Sequence, residues 1–115
     1  MADACLFCRI VAGEIPADVV HQGKATLAFR DVSPVAPVHV LVVPRQHIES
    51  AATVEAADAE VVAELLTVAR QVAAAEGIAE SGYRLVFNVG DDALCSVPHL
   101  HLHVLGGRPL GWPPG

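Results

Sequence analysis

Apolar side chains recur at three- and four-residue spacing most clearly in residues 57–76. The repeating positions are Val61, Val62, Leu65, Leu66, Val68, Ala69 and Val72. This period places them on one face of an α-helix. The glycine that follows, Gly77, is a typical helix stop. The pattern therefore predicts one long amphipathic helix.

The other apolar stretches are short and rich in β-branched residues, as is typical of strands. Residues 17–31 predict two strands around a turn that contains a glycine, and residues 38–44 predict a third strand. Residues 83–89 predict a fourth strand, and the histidine run that ends at the glycine pair 106–107 predicts a fifth. A short helix closed by a glycine is expected at residues 5–13.

This order of elements indicates the fold class. Strands, one long helix and further strands follow one another with short links, and the loop at residues 33–37 (SPVAP) is stiffened by two prolines. Such an order favours an α+β fold with a mainly antiparallel five-stranded sheet over alternating βαβ units.

Composition limits the size of the protein and its partners. A chain of 115 residues is expected to form a single domain, residues 1–115. Its formal net charge is −6 and its seven basic residues are scattered, which argues against nucleic acid and anionic membranes as partners. No apolar run approaches the about 20 residues of a membrane span, and no signal peptide is recognisable. We therefore expect a cytoplasmic protein.

Three histidines alternate with leucines in residues 98–107 (PHLHLHVLGG). Alternate side chains of a strand share one face, so His99, His101 and His103 would lie about 6–7 Å apart along the strand. The three apolar residues that follow them would face the helix. The residues alone leave open a strand with a polar outer face, a zinc site, or a catalytic site in which neutral imidazole is the nucleophile.

The chain has three cysteines, Cys5, Cys8 and Cys95, which form no obvious disulfide framework. In a reducing cytosol, the C-x-x-C pair at the start of the chain is typical of metal binding or redox chemistry.

The histidine run HLHLHVL matches the signature of the histidine triad superfamily. The stretches IPADVV, LAFRDVSPVAPVHVLVVPRQHI, GYRLVFNVG and SVPHLHLHVLGG are similar to the histidine triad nucleotide-binding proteins, the Hint branch, over almost the whole chain. The final WPPG resembles the C-terminus of the animal Hint proteins. The resemblance implies a HIT-like fold and a homodimer with a continuous sheet, in which residues 106–115 form a tail that reaches the partner's active site.

The resemblance also implies an activity and the residues responsible for it. The implied enzyme hydrolyses purine nucleoside phosphoramidates as an adenosine 5′-monophosphoramidase, through a nucleotidyl-histidine, and needs no divalent ion. The implied catalytic residues are the nucleophile His101 with His103, His39 and Ser96. The implied nucleotide-binding residues are Asp31 for the ribose, Asn88 beside the phosphate, Phe7, Ile10, Ile15 and Phe29 around the base, and Trp112 near the leaving group. The implied ligands of a closed structural zinc site are Cys5, Cys8, His47 and His99.

Two alternatives remain at this point. One is a dinucleoside polyphosphate hydrolase on the same fold, and the other is a non-catalytic nucleotide-binding regulatory protein, because a fold alone does not establish turnover. Two positions also depart from the family: Cys95 stands where glutamine is common, and Arg30 stands where the animal proteins have histidine.

Overall fold

The computed structural model describes residues 4–115, which form two α-helices and one five-stranded sheet. The elements are α1 (Leu6–Val11), β1 (Val19–Gln22), β2 (Thr26–Arg30), β3 (Val38–Pro44), α2 (Ala59–Ala75), β4 (Tyr83–Val86) and β5 (Leu102–Gly106). The strand order is β1-β2-β3-β5-β4, with every neighbouring pair antiparallel. The predicted α+β fold is confirmed. The predicted domain also includes residues 1–3, which lie outside the described residues.

The central strand β3 separates two apolar layers. Val38, Val40 and Val42 belong to the core that α2 covers, whereas Leu41 and Val43 belong to a second core on the opposite face with α1. This alternation follows from the two-residue period of a strand. The sheet is therefore buried on both sides along β3, and the smaller helix α1 covers the face on which the candidate site lies.

The long helix α2 begins at Ala59, two residues later than predicted, because a 3₁₀ turn occupies residues 56–58. Its buried residues are Leu65, Val68, Ala69, Val72 and Ala73. Leu66, which shares the apolar period, is 46% exposed. The helix ends before Gly77, which adopts the left-handed conformation (φ 77°) expected of a stop residue. No helix of residues 4–115 has the length and apolar composition that crossing a membrane requires.

Strands β4 and β5 are both shorter than predicted. The sequence suggests that β4 continues to residue 89, but it ends at Val86, which lies opposite His103. The last strand begins only at Leu102, so the chain beyond Phe87 has no residue of β5 opposite it. The prediction that all three histidines of the run lie in the strand is wrong for His99 and His101.

The segment before β5 is bent by local hydrogen bonds. His99 N donates to the Val97 carbonyl at 2.9 Å, and Leu100 N donates to the Ile48 carbonyl at 2.6 Å. Pro98 has no amide to offer a neighbouring strand. The apolar residues of the run nevertheless take the predicted side: Leu100, Leu102 and Val104 are buried in the core shared with α2.

A carboxylate on α2 joins the helix to the β1–β2 hairpin. Glu64 Oε2 accepts hydrogen bonds from Ala25 N at 2.9 Å and Thr26 Oγ1 at 2.6 Å. These two hydrogen bonds lower the pKa of Glu64, and the bond from Thr26 makes the larger contribution. Gly23 lies so close that an added Cβ would be 2.6 Å from the same carboxylate oxygen, which explains why the turn has a glycine.

We expect Glu64→Ala to lower the free energy of unfolding by about 1–3 kcal/mol, because the fully buried Thr26 hydroxyl and the Ala25 amide lose their acceptor. Urea denaturation monitored by circular dichroism measures this change. Glu60→Ala, on an exposed position of the same helix, is the matched control. It should lower the free energy of unfolding by no more than about 0.5 kcal/mol. Equal losses in the two variants would contradict the role of Glu64.

Candidate active site and metal centre

A pocket of about 370 Å³ opens beside α1 on the face of the sheet opposite α2. Eight of the predicted site residues line it: Phe7, Ile10, Ile15, Phe29, Asp31, Ser96, His101 and His103. The apolar members come from α1, the turn after it and β2, while His101 directly precedes β5 and His103 lies within it. The pocket therefore combines an apolar wall with a carboxylate, a hydroxyl and two imidazoles.

Three of the predicted catalytic and nucleotide-binding residues do not line this pocket. His39 lies behind His103, with 2.9 Å between His39 Nε2 and His103 Nδ1. Asn88 lies beyond the end of β4. Trp112 is 82% exposed, and its ring lies 6.0 Å from the Arg84 guanidinium carbon. The roles of these three residues, like those of the residues that line the pocket, remain predictions.

One hydrogen bond determines which nitrogen of His101 is available. His101 Nδ1 lies 2.7 Å from the carbonyl oxygen of His99. A carbonyl can only accept, so Nδ1 must carry the proton and donate it. In the neutral ring Nε2 then keeps its lone pair, and His101 lines the pocket. This is the tautomer that a nucleophilic histidine needs.

A second set of hydrogen bonds fixes the opposite tautomer at His103. The Val35 amide donates to His39 Nδ1 at 3.1 Å, so the neutral His39 ring carries its proton on Nε2. This Nε2–H donates to His103 Nδ1 at 2.9 Å, so His103 in turn carries its proton on Nε2. His103 Nε2 is buried and has no partner among the described residues. It is therefore a free donor beside the nucleophile, and we call this chain from Val35 to His103 the histidine relay.

Burial keeps the relay neutral. Desolvation, with smaller contributions from His101 and His39, lowers the pKa of His103 to about 4. Desolvation also lowers the pKa of His39, although the Asp31 carboxylate opposes this shift. The 3.4 Å contact between His39 Nε2 and Asp31 Oδ2 is therefore not an ion pair at neutral pH.

The two charged residues at the edge of the pocket are held in different ways. Asp31 Oδ1 accepts the Ser33 amide at 2.8 Å, which orients the carboxylate. The guanidinium of Arg30 is bound by Glu76 at the end of α2, and its Nε lies 3.3 Å from Asp18. Although Arg30 lines the pocket, its charge is engaged by carboxylates. Arg30, which stands where the animal proteins have histidine, thus links β2 to the end of α2.

Four predicted metal ligands converge beside the pocket. The donor atoms of Cys5, Cys8, His47 and His99 all lie within 4.8 Å of one another. The sulfur–nitrogen and nitrogen–nitrogen distances recorded among them are 3.2–3.5 Å. A tetrahedral zinc ion, with bonds of about 2.0 Å to nitrogen and about 2.3 Å to sulfur, holds its ligands about 3.3–3.8 Å apart. The geometry of this cysteine–histidine cluster fits a metal ion.

The hydrogen bonds around the cysteine–histidine cluster also fit a metal ion. His99 Nε2 lies 2.9 Å from the Pro44 carbonyl and must donate to it, which leaves the lone pair of Nδ1 directed to the cluster. The Cys8 amide donates to Cys5 Sγ at 3.4 Å, as suits a thiolate ligand. Burial and the neighbouring Cys5 raise the pKa of the Cys8 thiol to about 11, so metal binding would have to displace thiol protons.

Another cluster, formed by Asp31, His39 and His103, has similar spacing but different hydrogen bonds. Because the Val35 amide donates to His39 Nδ1, the proton of the neutral ring occupies Nε2, the nitrogen that faces the cluster. A proton there satisfies His103 Nδ1 and leaves no lone pair for a cation. We therefore interpret this cluster as part of the histidine relay.

Sequence reasoning missed the main-chain partners and part of the pocket wall. The Val35 amide, the Pro44 carbonyl and the His99 carbonyl determine the tautomers, but main-chain groups have no residue signature. The further lining residues are Leu6, Pro16, Ala17, Val32, Leu41 and Val97. For the Val35 amide the sequence did contain one signal. Two of the five residues in the loop SPVAP are prolines, which have no amide proton, so few amides of this loop can donate.

Comparisons with known proteins agree with this fold. A family model for the HIT domain matches residues 12–110. The chain is 44% identical over 111 residues to the purine nucleoside phosphoramidase of Escherichia coli strain K12, covering 96% of this chain and 93% of that one. A HIT family hydrolase from Legionella pneumophila Philadelphia 1 superposes with a TM-score of 0.94 at 52% identity, over 96% of this chain and 99% of that one. A histidine triad protein from Clostridium difficile gives a TM-score of 0.89 at 38% identity, over 93% of each chain.

The chain belongs to the HIT domain family. It is a hydrolase of that family, and its fold and Hint-like sequence agree with the resemblance stated above.

The lowered pKa values predict that acid destabilises the protein. Between pH about 6.5 and about 4 an unfolded His103 takes up a proton and the folded residue does not, so stability falls as the pH falls. We expect His103→Asn to lose less unfolding free energy than the parent between pH about 7.5 and about 5 in urea denaturation. His21→Asn, a histidine of β1 outside the site, should lose as much as the parent. An unchanged pH slope in His103→Asn would contradict the shift.

Proposed function

We propose that the protein hydrolyses purine nucleoside phosphoramidates, as an adenosine 5′-monophosphoramidase, with His101 as the nucleophile. The observation that carries the proposal is the tautomer of His101. Its Nδ1–H is bound to the His99 carbonyl, so its lone pair is on Nε2 in a pocket that also offers a carboxylate and an apolar wall. The name of the Escherichia coli relative supports the same substrate class.

The reaction then proceeds in two displacements. His101 Nε2 attacks the α-phosphorus, a phosphorus–nitrogen bond forms to the imidazole, and the phosphorus–nitrogen bond to the leaving amine breaks. The amine takes up a proton from solvent as it leaves, which the attacking water returns in the second displacement, and the Ser96 hydroxyl on the pocket wall would hydrogen-bond to the amine. Water then attacks the nucleotidyl-histidine, which releases the nucleotide and restores the free ring. Each displacement is easier than a direct attack of water.

The relay supplies the donor for the charge that develops on phosphate. The buried His103 Nε2–H has no partner within residues 4–115, so a phosphoryl oxygen would satisfy it. A preoriented donor in a water-poor pocket stabilises such charge without a divalent ion. The same pocket suits the nucleoside, because Asp31 can accept from the ribose hydroxyls and the apolar side chains Phe7, Ile10, Ile15 and Phe29 can pack on the base.

A structural zinc ion is the second part of the proposal. Cys5, Cys8, His47 and His99 would hold it with four protein ligands, which closes the site to substrate. Such an ion would fix α1 to the sheet. The same ligand set leaves His101 and His103 free for chemistry.

A homodimer remains a prediction, and with it the role of residues 106–115 and Trp112 at a partner's site. Strand β4 is an edge of the sheet, and Leu85 on it is 38% exposed. Pairing of two chains would cover an exposed strand edge and apolar side chains of this kind. A cytoplasmic location likewise remains a prediction.

We expect His101→Gly to lower the turnover of adenosine 5′-phosphoramidate by about a thousandfold or more, because the nucleophile is lost. The affinity for AMP, measured by calorimetry, should stay within about threefold of the parent. Mass spectrometry of the quenched parent reaction should show AMP attached to His101. His21→Asn is the control and should react at the parent's rate.

Turnover of His101→Gly within threefold of the parent would contradict the mechanism. Faster cleavage of diadenosine tetraphosphate than of the phosphoramidate by the parent would favour the polyphosphate hydrolase instead. AMP binding with no turnover of either compound would leave a regulatory nucleotide-binding protein.

The zinc proposal predicts about one zinc ion per chain in protein purified without a histidine tag. Cys8→Ser should lose the metal and melt several degrees lower, because metal binding stabilises the folded state. Cys95→Ser, which alters the cysteine outside the cysteine–histidine cluster, should keep both metal and melting temperature. Less than a tenth of an equivalent of metal, with no change on chelation, would exclude the site.

A further inference from the structure

The candidate nucleophile lies outside the regular sheet. His101 comes directly before β5, whereas His39 and His103 lie within paired strands and occupy ladder positions. The hydrogen bonds of the strand ladder therefore hold the histidine relay in place. The orientation of the His101 ring depends instead on contacts with nearby segments.

The His101 ring also lies 5.0 Å from the His103 ring of β5. Its hydrogen bond and its other ring contact come from residues next to or within the cysteine–histidine cluster. The first is the His99 carbonyl, which accepts His101 Nδ1–H, while the His99 ring belongs to the cluster. The second is Phe7, whose ring meets the His101 ring edge-on with 5.1 Å between centroids. Phe7 stands between Cys5 and Cys8 in the chain and is 5% exposed.

The cysteine–histidine cluster joins the three segments that carry these contacts. Cys5 and Cys8 belong to the start of α1, His47 to the loop after β3, and His99 to the bent segment before β5. The loop and the bent segment are also linked directly, because the Leu100 amide donates to the Ile48 carbonyl at 2.6 Å. A metal ion at the cluster would therefore hold the His99 carbonyl and the Phe7 ring in place against His101.

We propose that occupancy of the metal centre positions the nucleophile, with Phe7 and His99 as the positioning residues that connect the centre to His101. The proposal rests on the function proposed for His101. It assigns the metal a role in turnover beyond holding the fold. It also gives Phe7 a role besides packing on the base.

The proposal predicts different behaviour for the two groups of histidines when the metal is removed. The tautomer of His101 should become mixed, because its partners in α1 and the bent segment move. The tautomers of His39 and His103 should persist, because β3 and β5 remain paired. If the metal only stabilised the fold, its removal would change all three tautomers together when the chain unfolds. It would change none of them while the chain stays folded.

Nitrogen-15 NMR of histidine-labelled protein tests this difference directly. In zinc-loaded protein, His101 should show one protonated Nδ1 and one unprotonated Nε2. After chelation these signals should broaden or average, while those of His39 and His103 stay in place, and added zinc should restore the first spectrum. A His101 spectrum that is unchanged in metal-free protein would overturn the proposal.

Kinetics of a metal-retaining variant provide an independent test, which decides the matter if chelation unfolds the chain. Phe7→Leu should keep its zinc, lower kcat by about tenfold or more, and average the His101 signals. Phe29→Leu removes the same kind of ring from the same pocket, but Phe29 meets Phe7 rather than His101. It should raise KM and leave the His101 spectrum unchanged.

An unaltered His101 spectrum and kcat in Phe7→Leu would also overturn the proposal. The failure of the proposed function would look different. His101→Gly would then still turn over substrate, whatever the spectra of the metal-free protein showed.

Discussion

The direction of the hydrogen bonds at the buried imidazoles determines what each histidine can do. A ring nitrogen that faces a carbonyl must donate, and one that faces an amide must accept. The His99 carbonyl thus leaves His101 with a free lone pair, whereas the Val35 amide, acting through His39, leaves His103 with a free proton. Two neighbouring rings 5.0 Å apart thereby acquire opposite chemistry, one as nucleophile and one as donor.

The same constraint separates two clusters that distance alone would treat as equals. Both have donor atoms within 4.8 Å of one another. The Pro44 carbonyl takes the proton of His99 on the far side of the ring, which leaves a lone pair for a cation. At His39 the amide occupies the far side and the proton faces inward. Burial strengthens this assignment, because desolvation lowers the pKa of His39, His99 and His103 and favours their neutral rings.

The sequence was sufficient to predict the sheet, the long helix and eight residues of the pocket, for identifiable reasons. Periodicity reports which face is buried, and so the positions of Leu100, Leu102 and Val104 were correctly predicted. Only the family resemblance predicted that Cys5 and Cys8 lie together with His47 and His99, which are far apart in the chain. The start of β5 could not be predicted, because alternation of His and Leu looks the same in a strand and in a bent segment. Main-chain partners such as the Val35 amide have no side-chain signature, and the two prolines of SPVAP only limit which amides of that loop can donate.

The late start of β5 also explains how His101 obtains its partner. In a continued strand the His99 carbonyl would belong to the hydrogen-bond ladder with a neighbouring strand. Because the chain bends at Pro98 and pairs only from Leu102, this carbonyl is free to accept the His101 ring proton at 2.7 Å. The bend thus removes one hydrogen bond between strands and replaces it with the bond that fixes the His101 tautomer. It leaves the segment dependent on the groups that hold it from outside the sheet, which are α1, the loop at Ile48 and the cysteine–histidine cluster.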